Sequence, residues 1–460
     1  MQKTGASKNI DMVSGPLFAN IIRYAVPLML TGILQLLFNA ADLVVVGRFC
    51  GRLSIAAVGA TGAIINLIVN LFIGLSVGVG VTVAVSLGAQ DADRCSRAVH
   101  TCIPLALIGG AVLTVFGVLF SPTFLSWMKT PDDVIGLSSL YMRVYFCGMI
   151  PSLVFNYGAA ILRAAGDTKH PLYYLMTAGV VNVVLNVIFV TAFKLDVAGV
   201  ALATALSQCL SAALILCHLM KSDGAYKLVP SKLHIYGMEL KNIVRIGLPA
   251  GIQGCMFSIS NVIIQSSINS FGSVAMAGNS AGGNIDGFTW IAMNSFHQTG
   301  MNFAGQNLGA HRLDRVRKVR WYCLLDVTVT GVVMGGLMYL FAHRLLSIYI
   351  PGDEEAIRYG ITRMSFVCLP YALNGLHDVM TGVIRGLGKS LVPMVITVMD
   401  ICVFRIVWIY TIWQVPRFHT LNMLYVTYPI SWILTFVMLT VCYEVIIRRL
   451  TRREKTLQAS

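Results

Sequence analysis

Apolar residues along this chain come in long runs, separated by short polar segments that carry most of the charge. The first run is 15–49, followed by runs at 53–87, 98–120, 134–163, 172–193 and 197–220. A polar, basic stretch at 221–238 then breaks the pattern, with Lys221, Lys227 and Lys232. Six more runs follow, at 239–270, 273–308, 321–341, 356–385, 391–413 and 421–447. A helix needs about 20 apolar residues to cross a bilayer, whereas a barrel strand alternates apolar and polar residues over about ten. These runs are continuous and long, so the pattern predicts twelve membrane-spanning helices.

Composition agrees. The chain is 56% hydrophobic and only 12% charged. A soluble domain carries about 25% charged residues, so this chain cannot keep a soluble surface of its size wet. The net charge of +14 does not signal nucleic acid, because the basic residues sit between the apolar runs. They cluster in the even-numbered connections and in the tail, at Arg448, Arg449, Arg452, Arg453 and Lys455. The odd connections hold few: Arg48, Arg52, Lys129, Lys194 and Arg417. The positive-inside rule then puts both termini in the cytoplasm, at a cell (inner) membrane, in keeping with an even count of spans. The polar segment 1–13 is expected to be loose. It is followed by a run too long for a cleavable signal.

The chain repeats itself. Leu87-Gly-Ala-Gln-Asp-Ala-Asp-Arg94 pairs with Leu308-Gly-Ala-His-Arg-Leu-Asp-Arg315, offset by 308 − 87 = 221. Arg163 and Pro171 pair with Arg385 and Pro393, Pro27 with Pro249, and Asn39 with Asn261, all offset by 222. Six spans per copy is an even number, so both copies keep the same orientation. They are parallel repeats related by an axis along the membrane normal. The predicted architecture is an all-α polytopic membrane protein of two six-helix, pseudo-twofold repeats. Its divisions are an N-lobe at 1–220, a cytoplasmic linker at 221–238 and a C-lobe at 239–460, with a substrate cavity between the lobes.

Few polar groups interrupt the apolar runs, and those few are the candidate site. Gln35, Asn39 and Asp42 fall at spacings of four and three, on one helix face. An intramembrane acid costs roughly 2.5 kcal/mol or more at the bilayer centre, and usually faces a cavity or a partner. Low dielectric disfavours a charged carboxylate, which brings protonation within physiological reach. The same acid could bind sodium if amide oxygens converge on it. Asn182 and Asn186, one turn apart, could supply them. The bland alternative for these asparagines is hydrogen bonding between helices, worth under about 1 kcal/mol each. Pro27 removes a backbone hydrogen bond and is expected to kink or soften the first helix, as a hinge for coupling or as a static bend. In the second repeat, Ile264 stands where Asp42 would recur, and Asp378 stands opposite Asn156. Asp286 and Asp378, with Gln265 and Asn261, are a candidate C-lobe substrate or ion site. They could equally pair with Arg363 or polar neighbours. His377 adjoins Asp378, and Asp326 and Asp400 are read as structural.

Eleven cysteines are scattered without Cys-x-x-Cys or zinc spacing, so they are read as packing residues and no metal centre is expected. There is no Walker A motif and no recognisable catalytic spacing. An intramembrane enzyme is therefore only a remote alternative, and no cofactor is expected beyond a coupling ion.

Together these features resemble the MATE family (multidrug and toxic compound extrusion). The likeness rests on two six-helix repeats, Asn39-x-x-Asp42 before Val-Gly-Arg48, and Leu-Gly-Ala after the second and eighth spans. Gly305-Gln-Asn-Leu-Gly-Ala310 and Arg163-Ala-Ala-Gly-Asp-Thr-Lys-x-Pro171 complete it. The first span looks most like the prokaryotic branches related to DinF. The resemblance implies a cation-coupled antiporter, proton favoured over sodium, that exports organic cations, drugs or other amphipathic metabolites by alternating access. It implies an N-lobe site at Asp42 with Asn39, Asn156, Asn182 and Asn186. Some relatives carry a second carboxylate on the fifth span, where this chain has asparagines. The expected partners are a small-molecule substrate, cationic or amphipathic, and membrane lipid, with the chain acting as a monomer. The alternative is a lipid-linked oligosaccharide flippase of the same superfamily. It would need a cationic cavity, whereas the intramembrane charges read from the sequence are mainly acidic.

Overall fold

The computed structural model describes residues 9–128 and 130–459, and over them the chain is helical, with no strand. Lys129, counted above among the odd-loop charges, and residues 1–8 lie outside the described residues. The first repeat contains α1 (Leu17–Phe49), α2 (Arg52–Gly88), α3 (Ala92–Trp127), α4 (Asp132–Cys147), α5 (Met149–Ala164), α6 (Lys169–Thr191) and α7 (Asp196–Lys221). The second contains α8 (Gly237–Asn269), α9 (Ser273–Gly309), α10 (Leu313–Leu340), α11 (Ala342–Tyr349), α12 (Glu354–Val367) and α13 (Tyr371–Gly386). It ends with α14 (Leu391–Thr397), α15 (Phe404–Tyr410), α16 (Leu421–Tyr425) and α17 (Thr427–Ala459).

Among the described residues nine helical segments are long and apolar enough to cross a membrane, and the bent pair α4–α5 makes a tenth. The two remaining predicted spans are helical but polar or interrupted. On α9, Asn279, Asp286, His297, Asn302 and Asn307 are all buried, so these polar groups face protein and not lipid. The other is divided into α12 and α13. The fold is thus an all-α polytopic membrane protein with two six-helix repeats. The repeats even match in helix length: α1 and α8 have 33 residues each, and α2 and α9 have 37. Exposed apolar rows such as Leu325, Val329, Val332 and Val333 on α10 give these helices the surface that lipid requires.

The breaks have local causes. Helices α4 and α5 meet at Gly148 with a 48° bend. Pro151 lies three residues on; it has no N–H to give the carbonyl of Cys147, and its ring clashes there. Pro370 does the same to the carbonyl of Phe366, which splits 356–385 where one continuous helix was expected. Gly148 and Pro370 are repeat equivalents (370 − 148 = 222). Helix α1, by contrast, stays helical through Pro27.

The chain divides into two compact units. Unit 1 holds 1–11 and 30–255; unit 2 holds 12–29 and 256–460. The linker 221–238 belongs wholly to unit 1. The first helix of each repeat, α1 and α8, is shared between units, and the division in α1 falls just after Pro27.

Within unit 1, α2 and α8 approach at backbone distance. A Cβ on Gly78 would overlap the Ile243 carbonyl, and one on Gly74 would overlap the Gly251 backbone. Small residues permit this approach where lipid offers no hydrophobic drive. The linker is pinned to α3: the Val229 N–H donates to His100 Nε2 at 3.0 Å, and the Tyr236 N–H to Thr101 Oγ1 at 3.1 Å.

Residues 9–13, expected to be loose, are fastened. In unit 1, Asn9 Nδ2 donates to the Ala165 carbonyl and to Tyr226 Oη, each at 3.1 Å. The Ile10 N–H donates to the carbonyl of Gly166, whose φ of +90° only glycine adopts without strain. In unit 2, Met12 is buried and its carbonyl accepts from Asn307 Nδ2 at 3.0 Å, while Arg312 donates to the Val13 carbonyl at 3.1 Å. Composition showed a polar segment. It could not show that its backbone groups have partners in distant turns.

Candidate functional site

In unit 1, α1 and α6 are set against each other by a ring in a notch. Phe38 of α1 occupies the space where a Cβ of Gly179 would be. One turn beyond Phe38 is Asp42, and one and two turns beyond Gly179 are Asn182 and Asn186. The contact therefore brings the acid against the asparagines. Asn186 is fully buried, and its Nδ2 donates to Asp42 Oδ1 at 2.5 Å. The Asn182 amide, turned so that its polar atoms are satisfied, donates to the same Oδ1 at 2.9 Å and accepts from the Thr204 N–H of α7 at 3.3 Å. Among the described residues no basic side chain pairs with Asp42. Tyr141 and Tyr145 of α4, stacked at 6.0 Å, lie within electrostatic reach of it. An acid held by neutral amides can lose and regain a proton without dismantling an ion pair.

Two other N-lobe candidates lie apart from this contact. Asn39 is exposed, with no hydrogen bond to Asp42 among the described residues. The Asn156 amide donates to the Ser152 carbonyl of its own helix at 2.8 Å. Sequence reasoning missed Thr204, Tyr141 and Tyr145, because neither a backbone N–H nor a phenol on an apolar helix gives a signal until its neighbour is known.

In unit 2, Asp286 is matched by a cation. Arg363 of α12 reaches its Oδ2 through Nη2 at 2.5 Å and Nε at 3.1 Å, and Cys368 donates to its Oδ1 at 2.9 Å. A hydrogen-bonded chain continues from there. Arg363 Nη1 donates to Asn279 Oδ1 at 2.8 Å, Asn279 Nδ2 to Gln265 Oε1 at 2.9 Å, and Gln265 Nε2 to Asn269 Oδ1 at 2.8 Å. Asp378 is held by His297, whose Nδ1 lies 3.1 Å from Asp378 Oδ1 and 2.8 Å from its carbonyl. Arg385 donates to the opposite ring nitrogen at 3.4 Å, which leaves Nδ1 as the donor to Asp378.

A cavity of about 610 Å³ opens inside unit 2. Asn261, Gln265 and Asp286 line it, as do Arg363, His377 and Arg405. Asp378 does not. The acids read from the sequence therefore do not make this cavity acidic. Its one lining carboxylate is paired, and a second guanidinium is present. A separate cluster in unit 1, Asp167, His170 and His218, offers ligand atoms within 4.8 Å of one another. It is the one grouping among the described residues with metal-binding geometry.

The family model described as MatE matches residues 27–188 and 249–411, one match in each half. The probable multidrug resistance protein YoeA of Bacillus subtilis (strain 168) is 27% identical over 387 residues, 82% of this chain and 83% of that protein. The multidrug export protein MepA of Staphylococcus aureus (strain NCTC 8325 / PS 47) is 20% identical over 380 residues, 82% of this chain and 83% of that one. A crystal structure of MATE in complex with MaL6 has the same fold at a TM-score of 0.90 and 21% identity. The match covers 97% of this chain and 100% of that one.

Proposed function

We propose, on the premise that this chain belongs to the MatE family, that it is a proton-coupled antiporter exporting amphipathic compounds, organic cations and drugs among them. Membership makes it a multi-pass membrane transporter of small molecules, not an enzyme, and one that needs no cofactor. The finer reading is ours: proton coupling at Asp42, alternating access, a monomer in the inner membrane, and both termini in the cytoplasm.

The observation that carries the coupling proposal is the 2.5 Å contact of Asn186 Nδ2 with Asp42 Oδ1 inside the membrane. Amide nitrogens face the ionised acid. Protonation turns that acid into a donor, which needs an oxygen in return. Asn186 Oδ1 is buried and has no partner among the described residues, so a turned amide can provide it. Sodium would need several oxygens to converge, and here the Asn186 nitrogen points at the acid. This favours a proton over sodium. In this reading the exchange of hydrogen-bond sense is felt by α1, and Pro27 is where the helix can bend.

The test is dye efflux from everted vesicles under an imposed proton gradient, compared with a sodium gradient. A proton gradient is expected to drive efflux and Asp42→Asn to abolish it. Undiminished gradient-driven efflux in that variant would sink the coupling role, and efflux driven by sodium alone would replace the ion.

A further inference from the structure

Among the described residues, a cation in the cavity of unit 2 has no countercharge. Arg405 follows a π-helical turn at Val398–Val403 in the eleventh span. It lines the cavity and is 4% exposed. Its Nε and one Nη donate to a single oxygen, Ser431 Oγ, at 3.1 and 2.8 Å, and its planar face lies 4.1 Å from the Tyr428 ring centroid. Among the described residues no carboxylate pairs with it. Asp400, five residues earlier, does not reach it, and Asp400 Oδ2 has no partner among the described residues. Guanidinium has five N–H donors, so several remain unused. Burying a charge costs several kcal/mol unless it is paired, so a buried, uncompensated guanidinium beside a void calls for an anion.

A second lining group is also unsatisfied. His377 is 4% exposed, its Nε2 contacts Asn374 Oδ1 at 2.9 Å, and its Nδ1 has no partner among the described residues. The only lining carboxylate among the described residues, Asp286, is taken by Arg363. The walls carry Phe257, Trp290, Tyr371, Tyr428 and Trp432. A space of about 610 Å³ with such walls is too large for a bare inorganic ion, and suits a small organic molecule with both a polar and an apolar part.

We propose that the unit 2 cavity is a binding site for amphipathic organic anions, with the ligand's carboxylate, or a like-charged group, on Arg405, and the apolar body against the aromatic walls; His377 Nδ1, with Nε2–H on Asn374, is an acceptor open to any N–H or O–H the ligand also carries. This names a substrate class within the transport reading and rests on that reading for its physiological meaning. Binding is measured without transport, so its failure would leave proton-coupled efflux standing.

The test is equilibrium dialysis of the full chain in phosphatidylcholine nanodiscs against radiolabelled naphthalene-2-carboxylate, its neutral carboxamide and 2-naphthylmethylammonium, with empty discs subtracted. The carboxylate is expected to bind about tenfold or more tighter than the carboxamide. Arg405→Gln should abolish that preference while keeping carboxamide binding, and Arg405→Lys should keep part of it. Asn261→Trp, at an exposed lining position, should weaken all three ligands. It also locates the site should Arg405→Gln not fold. Equal binding of acid and amide, tighter binding of the ammonium, or a preference that survives Arg405→Gln would overturn the proposal. So would a preference that vanishes in discs containing phosphatidylglycerol, because the site would then belong to a lipid phosphate.

Discussion

Asn186 Nδ2 donates to Asp42 Oδ1, while the other end of the same amide, Asn186 Oδ1, is buried without a partner among the described residues. One side chain thus holds both a donor in use and an acceptor in reserve. The arrangement suits an acid that changes protonation during a cycle, and under the proposed coupling Asn186 is more than packing.

Asn186→Ala is therefore expected to impair coupling without unfolding the chain. A hydrogen bond to a charged group is worth about 1.5–3 kcal/mol, which corresponds to roughly tenfold to a hundredfold in an equilibrium. Proton-driven dye efflux should fall by about that factor, with protein yield and elution profile unchanged. Asn156→Ala is the comparison. Its amide is satisfied within its own helix, so it should cost much less. Equal losses in the two variants would remove the special role of Asn186.

Much of this was legible in the sequence, and the rest was not, for physical reasons. Twelve spans and the repeat follow from run length and offset, which are local and periodic. Asp42, Asn182 and Asn186 stood out because polar atoms in lipid are costly, wherever they point. Their partners were not legible. Asn39 has the right spacing to share a face with Asp42 yet is exposed, since a shared face three residues wide spans more than one environment. The charge balance within unit 2 was not legible either. Counting acids cannot show that Arg363 cancels Asp286 and that Arg405 is left over, which only tertiary contacts reveal. Pro370 likewise broke a span that the apolar pattern carried straight through.

The notch at Gly179 gives a second prediction. Gly179→Val would place its side chain inside the Phe38 ring, and overpacking of this kind costs about 1–3 kcal/mol. Thermal unfolding in detergent should shift down by several degrees, and efflux should fall, because Asp42 is displaced from Asn186. Phe38→Ala combined with Gly179→Val should recover both in part. A double variant no better than the single would mean that the ring does not set the register of α1 on α6.

The Asp286–Arg363 pair yields the third. Arg363 Nη2 lies 2.5 Å from Asp286 Oδ2, and the two side chains are 13% and 6% exposed. Removing one member of a buried pair strands the other charge and costs about 3–5 kcal/mol, while removing both together costs much less. The pair lines a cavity of about 610 Å³, so the lower end of that range applies. Asp286→Asn and Arg363→Gln should each lower the unfolding temperature clearly. The double variant should be more stable than the sum of the single effects predicts, by about 1–3 kcal/mol of coupling. If Asp286 instead served chiefly to hold a cationic substrate, Asp286→Asn would leave thermal stability near wild type and depress efflux of cations alone. The two roles separate on a single pair of measurements, the unfolding temperature and the efflux rate of one cationic dye. The geometry, with both guanidinium contacts on one carboxylate oxygen and Cys368 on the other, stands with the structural role.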